Sequence, residues 1–351
     1  MQQALNIGII GYGYASRTFH APLISSVPGL HLSAIVSRDT HKVQHDWPGV
    51  TVYADTATLC ARPDIDIVVI PTPNETHYPL ASLALAAGKH VVVDKPFTLT
   101  LDEARALHDQ SEKAGVVLSV FHNRRWDADF ITLRALIASG ELGRIVQFES
   151  RFDRYRPEVR ARWREQGGPG SGLWYDLGPH LLDQALTLFG MPNAMSLDLV
   201  EQRNQAQAND YFHARLHYGA MRVLLSASTL ALEPGARFTV YGTQGSVVKH
   251  GLDTQENWLK AGLRPPMPDW GRDECPANLT LWRNEHTLQH PLHMLPGNYP
   301  AYYSALRDAV HGTGVNPVPP EDAIQVMALI ELGARSACEL RTLNLDSSVD
   351  R

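Results

Sequence analysis

Three short stretches carry residues whose types and spacing could do chemistry: Gly11-Tyr12-Gly13, Asp94-Lys95-Pro96 and Asp176-Leu177-Gly178-Pro179-His180. Two glycines just after an apolar run make a tight turn whose backbone can approach a pyrophosphate, an anion favoured at the N-terminus of a following helix. Lys95 places an ammonium beyond another apolar run, where it could bind a reacting oxygen and favour a developing alkoxide. Asp176 and His180 are four residues apart, so on a helix they share one face. An imidazole that titrates near neutral pH is suited to taking a proton. Together, a dinucleotide cradle and a Lys/Asp/His set are equipment for moving a hydride and a proton in one reaction.

Each stretch also has a plainer reading. A glycine turn recurs by chance, and Lys95 could be a surface cation neutralised by Asp94. Pro179 is tolerated only in a helix's first turn, which predicts a helix start near Asp176. Asp176 would then be an N-cap and His180 an ordinary half-buried side chain. The run Gly167-Gly168-Pro169-Gly170-Ser171-Gly172 just upstream favours the functional reading, because glycines let a backbone line a cleft closely.

The elements that must position these residues follow from the apolar pattern. Residues 5–10, 30–36, 65–70, 90–93 and 116–121 are Val/Ile-rich runs of the kind found in strands buried on both faces. Between them lie helical patterns at 78–87, closed by Gly88, and 102–114, closed by Gly115, with Thr100 and Glu103 at capping-box spacing. This alternation predicts an α/β fold with an N-terminal Rossmann doubly wound parallel sheet. Gly11 and Gly13, with Tyr14 and Ala15 beside them, then follow the first strand, before a helix expected near Arg17; Ser16 stands where a third glycine is usual.

After the second strand an acid would mark an NAD site. Here Ser37-Arg38 follows, and a hydroxyl with a guanidinium suits a 2′-phosphate, so NADP is expected, with NAD as the alternative. The plainer reading is a solvated turn in which Asp39 caps the next helix. Thr72, Pro73 and Asn74 form a loop on the strand edge where ligands bind in such sheets, with His77 and Asp94 grouped beside them as cofactor candidates. Alternatively, two prolines stiffen that turn and Asn74 or Thr76 caps the next helix.

Beyond residue 122 the pattern changes. Helices are expected at 127–139, 181–189, 299–311 and 320–341. Alternating strands are expected at 145–152, 197–202, 211–218, 222–228 and 237–241, as in an open, mainly antiparallel sheet. Residues 252–296 lack a clear period and read as irregular loops. Two domains follow, 1–122 for the nucleotide and 123–351 for substrate binding and oligomerisation, with a cleft expected between them.

Composition narrows the class. With 351 residues, 44% of them hydrophobic, and a formal charge of −6, the chain reads as globular and lacks the clustered positive charge of a nucleic-acid surface. No apolar run is long enough for a membrane span, and the first strand begins too early for a signal peptide. Cys60, Cys275 and Cys338 are an odd, widely spaced set, consistent with a reducing cytoplasm. The histidines show no zinc-ligand spacing, so no metal is expected.

The order and spacing of Gly11-Tyr12-Gly13, Thr72-Pro73-Asn74, Asp94-Lys95-Pro96 and Asp176-Leu177-Gly178-Pro179-His180 resemble the glucose–fructose oxidoreductase/inositol dehydrogenase (Gfo/Idh/MocA) family over nearly the whole chain. His122-Asn123-Arg124-Arg125-Trp126-Asp127 and residues 155–163 look most similar to its bacterial NADP-dependent scyllo-inositol dehydrogenases. The resemblance implies a C-terminal α/β domain used in homo-oligomers (dimer or tetramer). It also matches Lys95, Asp176 and His180 to a catalytic trio and Thr72, Pro73 and Asn74 to the nicotinamide-ribose loop. Asp94 stands where the family usually has Glu. Asn123, Arg124, Tyr155, Arg162 and Trp163, with Asp176 and His180, are candidates for binding a polyol or sugar: the polar ones can bond several hydroxyls and Trp can cover a sugar face. Each has a local alternative, such as Arg124 and Arg125 pairing with Asp127 and Asp129, or Trp163 lying in the core. A nucleotide-sensing protein without turnover, or a reductase of an unrelated carbonyl, are the rival functions.

Overall fold

The computed structural model describes residues 3–345. The chain divides into two compact units: one runs up to Trp126 and also takes Thr254–Trp270 and Asn298–Ile324, and the other holds Asp127–Asp253, Gly271–Gly297 and the chain from Gln325 on. A single cut after residue 122 misses the two returning segments. They belong to the first unit because the helix Gln255–Lys260 packs on the helical turn Ser16–His20, and the helix Pro300–Val310 packs near its neighbour Ala21–Ser26.

In the first unit β1 (Leu5–Ile10), β2 (Leu30–Val36), β3 (Thr51–Tyr53), β4 (Ile67–Ile70), β5 (His90–Val93) and β6 (Leu118–Val120) form one parallel sheet in the order β3-β2-β1-β4-β5-β6. That is the doubly wound order of a dinucleotide-binding fold. The Val/Ile runs are explained by burial: every residue of β4 is buried, as are the three valines of β5. The edge strand β3 lacks a sequence signal because one exposed and two half-exposed residues leave no readable pattern. The helices are α1 (Ala21–Ser26), α2 (Thr40–Asp46), α3 (Thr56–Cys60), α4 (His77–Ala86) and α5 (Leu101–Ala114). The Thr100–Glu103 capping box forms at the start of α5.

In the second unit α6 (Ala128–Ala138) precedes β7 (Ile145–Arg151), and α7 (Gly172–Phe189) follows. Then come β8 (Ala194–Val200), β9 (Tyr211–Tyr218), β10 (Met221–Ser228), β11 (Phe238–Gly242), β12 (Gly245–Lys249), β13 (Ala277–Arg283), β14 (His286–Leu292) and β15 (Leu343–Asn344). They form one sheet, β14-β13-β12-β11-β7-β10-β9-β8-β15, antiparallel except for the β7–β10 pair. α7 packs on β9 and β10. Buried Arg237 ties the helix down, donating to Gln184 of α7 at 2.8 Å and to Ser150 of β7 at 2.5 Å.

The expectation of irregular loops over 252–296 is corrected: the stretch contains the helix Gln255–Lys260 and the β13–β14 hairpin. Its turn, Asn284-Glu285, has positive φ at both residues without a glycine to signal it, and β14 is exposed along nearly its whole length, so no alternation marks it.

Candidate functional site

In the first unit the chain leaves β1 and turns at Gly11, whose φ of +88° and closeness to Thr72 (3.3 Å from an added Cβ to Cγ2) both favour glycine. Gly11 N–H donates to Val36 at 2.9 Å, and the buried Ser16 hydroxyl donates to Gly11 O at 2.7 Å. Ser16 thus ties the turn closed where a third glycine was expected. The helix expected near Arg17 begins as a π-helical turn, Ser16–His20, that leads into α1. A Cβ on Gly13 would meet nothing within 4 Å, so the space beside its backbone is open, as a pyrophosphate requires. The intervening Tyr12 is buried and donates to Asp46 at 2.8 Å, anchoring the turn to α2. Burial first, then Asp46, pushes this phenol up to about 12.

Beyond β2 the plainer reading of the turn is met. Asp39 caps α2, accepting from Lys42 N–H at 3.0 Å, and the Ser37 hydroxyl accepts from Asp39 N–H at 3.1 Å. Arg38 is exposed and has no hydrogen-bond or ion-pair partner among the described residues, which leaves its guanidinium for an anion.

The loops after β4 and β5 are braced from beneath. Thr72, Pro73 and Asn74 follow β4, with Asn74 buried and the Thr76 hydroxyl 2.6 Å from both the Thr72 hydroxyl and Pro73 O. His77 is fully buried, with Nδ1 2.8 Å from Pro96 O and Nε2 2.9 Å from Thr72 O. Burial pushes its pKa down, and a neutral ring donates to only one carbonyl at a time. The ring therefore bridges the backbone of the two loops. Asp94 accepts from Lys95 N–H at 2.7 Å and lies 3.8 Å from His20, whose Nδ1 is 2.6 Å from the Tyr303 hydroxyl. Burial alone would raise Asp94, but His20, Lys95 and His77 outweigh it and hold the carboxyl at about 2. The shorter acid thus fixes the backbone that carries Lys95; the Lys95–Pro96 peptide is cis.

Asn123 and Arg124 are buried on the 3-10 turn Asn123–Trp126. Arg124 donates to Glu256 at 2.7 Å, a carboxylate that also accepts from Lys260 at 2.6 Å and Tyr14 at 3.1 Å. Burial opposes ionisation of Glu256, yet Arg124 and Lys260 keep it at about 2. The cofactor candidate Tyr14 and the substrate candidate Arg124 therefore share an anchor that sequence reasoning missed. No local signal could find it, since 132 residues separate Arg124 from Glu256. Arg125 donates to Asp322 at 2.9 Å.

In the second unit the N-cap reading of Asp176 fails. α7 starts at Gly172, where Leu173 and Trp174 N–H donate to Asn209 O at 2.7 Å and Oδ1 at 2.8 Å. Asn209 does the capping from another strand connection, and only a glycine at 172 leaves it room: a Cβ there would fall 2.5 Å from Asn209 Nδ2. Pro179 consequently lies inside the helix, not in its first turn. Asp176 and His180 sit one turn apart on a continuous helix and share a face. His180 is buried; Asp176 is half-buried, 3.5 Å from Arg164 Nε. Arg162 donates to Glu165 at 2.6 Å. Asp176 and Arg162 line one pocket in this unit, whereas Tyr155, Trp163 and His180 do not line it. Tyr155 is exposed on a bridge to Leu230, and Trp163 lies beneath the Arg164 guanidinium, 4.4 Å away. Among the described residues no group of three His, Cys, Asp or Glu side chains could hold a metal, and no helix is long and apolar enough to cross a membrane.

A parallel sheet with its glycine turn at β1 in one unit, and a large mixed sheet carrying an acid–imidazole helix in the other, define a nicotinamide-dependent oxidoreductase class. The chain belongs to the Gfo/Idh/MocA oxidoreductase family: residues 5–122 match its NAD-binding Rossmann fold and residues 134–345 its C-terminal alpha/beta domain. It is 58% identical to the uncharacterized oxidoreductase YdgJ of Escherichia coli (strain K12), over 98% of this chain and 100% of that one. It is 37% identical to the scyllo-inositol 2-dehydrogenase (NADP(+)) IolW of Bacillus subtilis (strain 168), over 97% and 96%. Among solved structures, YPO2259 from Yersinia pestis is 55% identical with a TM-score of 0.96 over 99% of both chains.

Proposed function

We propose that the protein is an NADP-dependent dehydrogenase of secondary alcohols on a polyol or sugar ring, with scyllo-inositol or a related cyclitol as substrate. The observation that carries the reading is Asp176 and His180 on one face of a continuous α7, in a chain similar to the NADP-dependent scyllo-inositol enzyme IolW. When bound, NADP⁺ would supply the hydride acceptor, held by the Gly11–Gly13 turn, Arg38 and the Thr72–Asn74 loop. In this reading His180 takes the hydroxyl proton as the carbon gives up its hydride, leaving a carbonyl. Lys95 donates to the same oxygen and offsets its developing charge, and Asp176 orients the substrate or the imidazole. The reverse direction uses the same groups. A cytoplasmic homo-oligomer, dimer or tetramer, is part of the same reading.

Oxidation assays with scyllo-inositol, myo-inositol and several aldoses, each with NADP⁺ and NAD⁺, test it. Inactivity on all cyclitols removes the narrow substrate class, and inactivity on every alcohol removes the enzyme. For the cofactor, Arg38→Ala should weaken NADPH binding about 10- to 100-fold, the worth of a charge-assisted hydrogen bond, while NADH binding changes little. Fluorescence titration reads both; an equal loss for the two nucleotides would remove Arg38 from the 2′-phosphate.

A further inference from the structure

The pocket beside Asp176 is strongly basic in a chain of formal charge −6: five arginines face three carboxylates in its lining. Three of these cations are already engaged. Arg203 donates to Asp210 at 2.8 Å and to Glu165 at 3.0 Å, and Arg162 donates to the same Glu165 at 2.6 Å. Arg164 lies over the Trp163 ring, 3.5 Å from Asp176. Arg156 differs: its guanidinium is half-buried in the lining and has no hydrogen-bond or ion-pair partner among the described residues. Its pKa is pushed down first by burial and then by the neighbouring charges of Arg162 and Arg160, with Asp176 and Glu165 compensating only in part. A partly desolvated cation among like charges is unfavourable unless something neutralises it. Hydroxyls of a neutral polyol can accept from a guanidinium but bring no charge.

We propose that this pocket binds an anionic group, carboxylate or phosphate, on the polyol substrate, with Arg156 as its principal partner. A planar guanidinium fork matches two oxygens of either group. The inference rests on the dehydrogenase reading above in placing the reacting alcohol by Asp176, and it extends the substrate class from neutral cyclitols to polyols that also carry a carboxylate or phosphate.

The test is calorimetric titration of the full chain with D-glucuronate, D-glucose 6-phosphate and D-glucose, which differ only at one carbon. At least one acid should bind about tenfold or more tighter than glucose, with the advantage shrinking as salt is raised. The first acid reports a carboxylate source and the second a phosphate. Arg156→Gln should erase the advantage, and thermal unfolding checks that the variant is folded. Should it not fold, the salt dependence of the unmodified protein decides. Equal affinity for all three compounds, including none measurable, overturns the proposal, as does an acid preference that survives in Arg156→Gln or is indifferent to salt. Turnover with NADP⁺ separates the two readings. Acid binding without oxidation of any alcohol sinks the dehydrogenase and leaves the pocket, whereas oxidation of neutral cyclitols with no acid preference does the opposite.

Discussion

Replacing His180 with Asn is expected to lower kcat by about 10²- to 10⁴-fold, the usual contribution of a positioned general base, while NADPH affinity stays within about threefold. Asparagine keeps a hydrogen-bonding group of similar reach but cannot take up a proton at neutral pH. His180 is buried on α7, a helix held by Asn209 at its start and by Arg237 through Gln184 further along, so the substitution should leave the helix in place. The proposed nucleotide contacts lie on β1, β2 and β4 of the other unit, so binding of NADPH and turnover should separate cleanly. Steady-state kinetics with a cofactor-fluorescence titration measures both. Turnover surviving within about tenfold would mean the proton goes elsewhere.

Lys95→Met is the second large effect, an expected loss of about 10²- to 10³-fold in kcat/KM, comparable to removing one donor from a developing oxyanion. Methionine retains the length and apolar stem and deletes only the charge. The Asp94 carboxylate bonds the Lys95 backbone N–H, so the loop keeps its anchor. Lys95→Arg should recover little, because a planar fork cannot replace a compact ammonium at one oxygen. Single-turnover measurement with NADP⁺ saturating separates the two roles Lys95 could have. A loss confined to KM would make it a binding residue, and no loss at all would leave it a surface cation.

How much of the candidate site was legible varied with the distance over which each decision is made. The glycine turn, the Asp39 cap and the Thr100–Glu103 box were readable because their partners lie within a few residues. The face shared by Asp176 and His180 was readable as spacing, but the plainer reading placed the helix start four residues too late. A local rule about proline lost to Asn209, which caps the helix from far along the chain and lets Pro179 sit inside it. The bridging position of His77 between the carbonyls of Thr72 and Pro96 was not legible, because Pro96 is brought to the ring from the next strand's loop.

The sequence by itself determined the alternating buried strands, hence the parallel sheet, and the glycine turn that follows its first strand; apolar period and glycine geometry act over one turn or one strand, and need no partner. Only the tertiary structure decided which segments join which unit, that Glu256 anchors both Tyr14 and Arg124, and that arginines from 154 to 203 surround one pocket, with Arg156 making no ion pair among the described residues. Those outcomes depend on which distant groups are brought into the same low-dielectric space, where pairing and burial are set jointly by the whole fold.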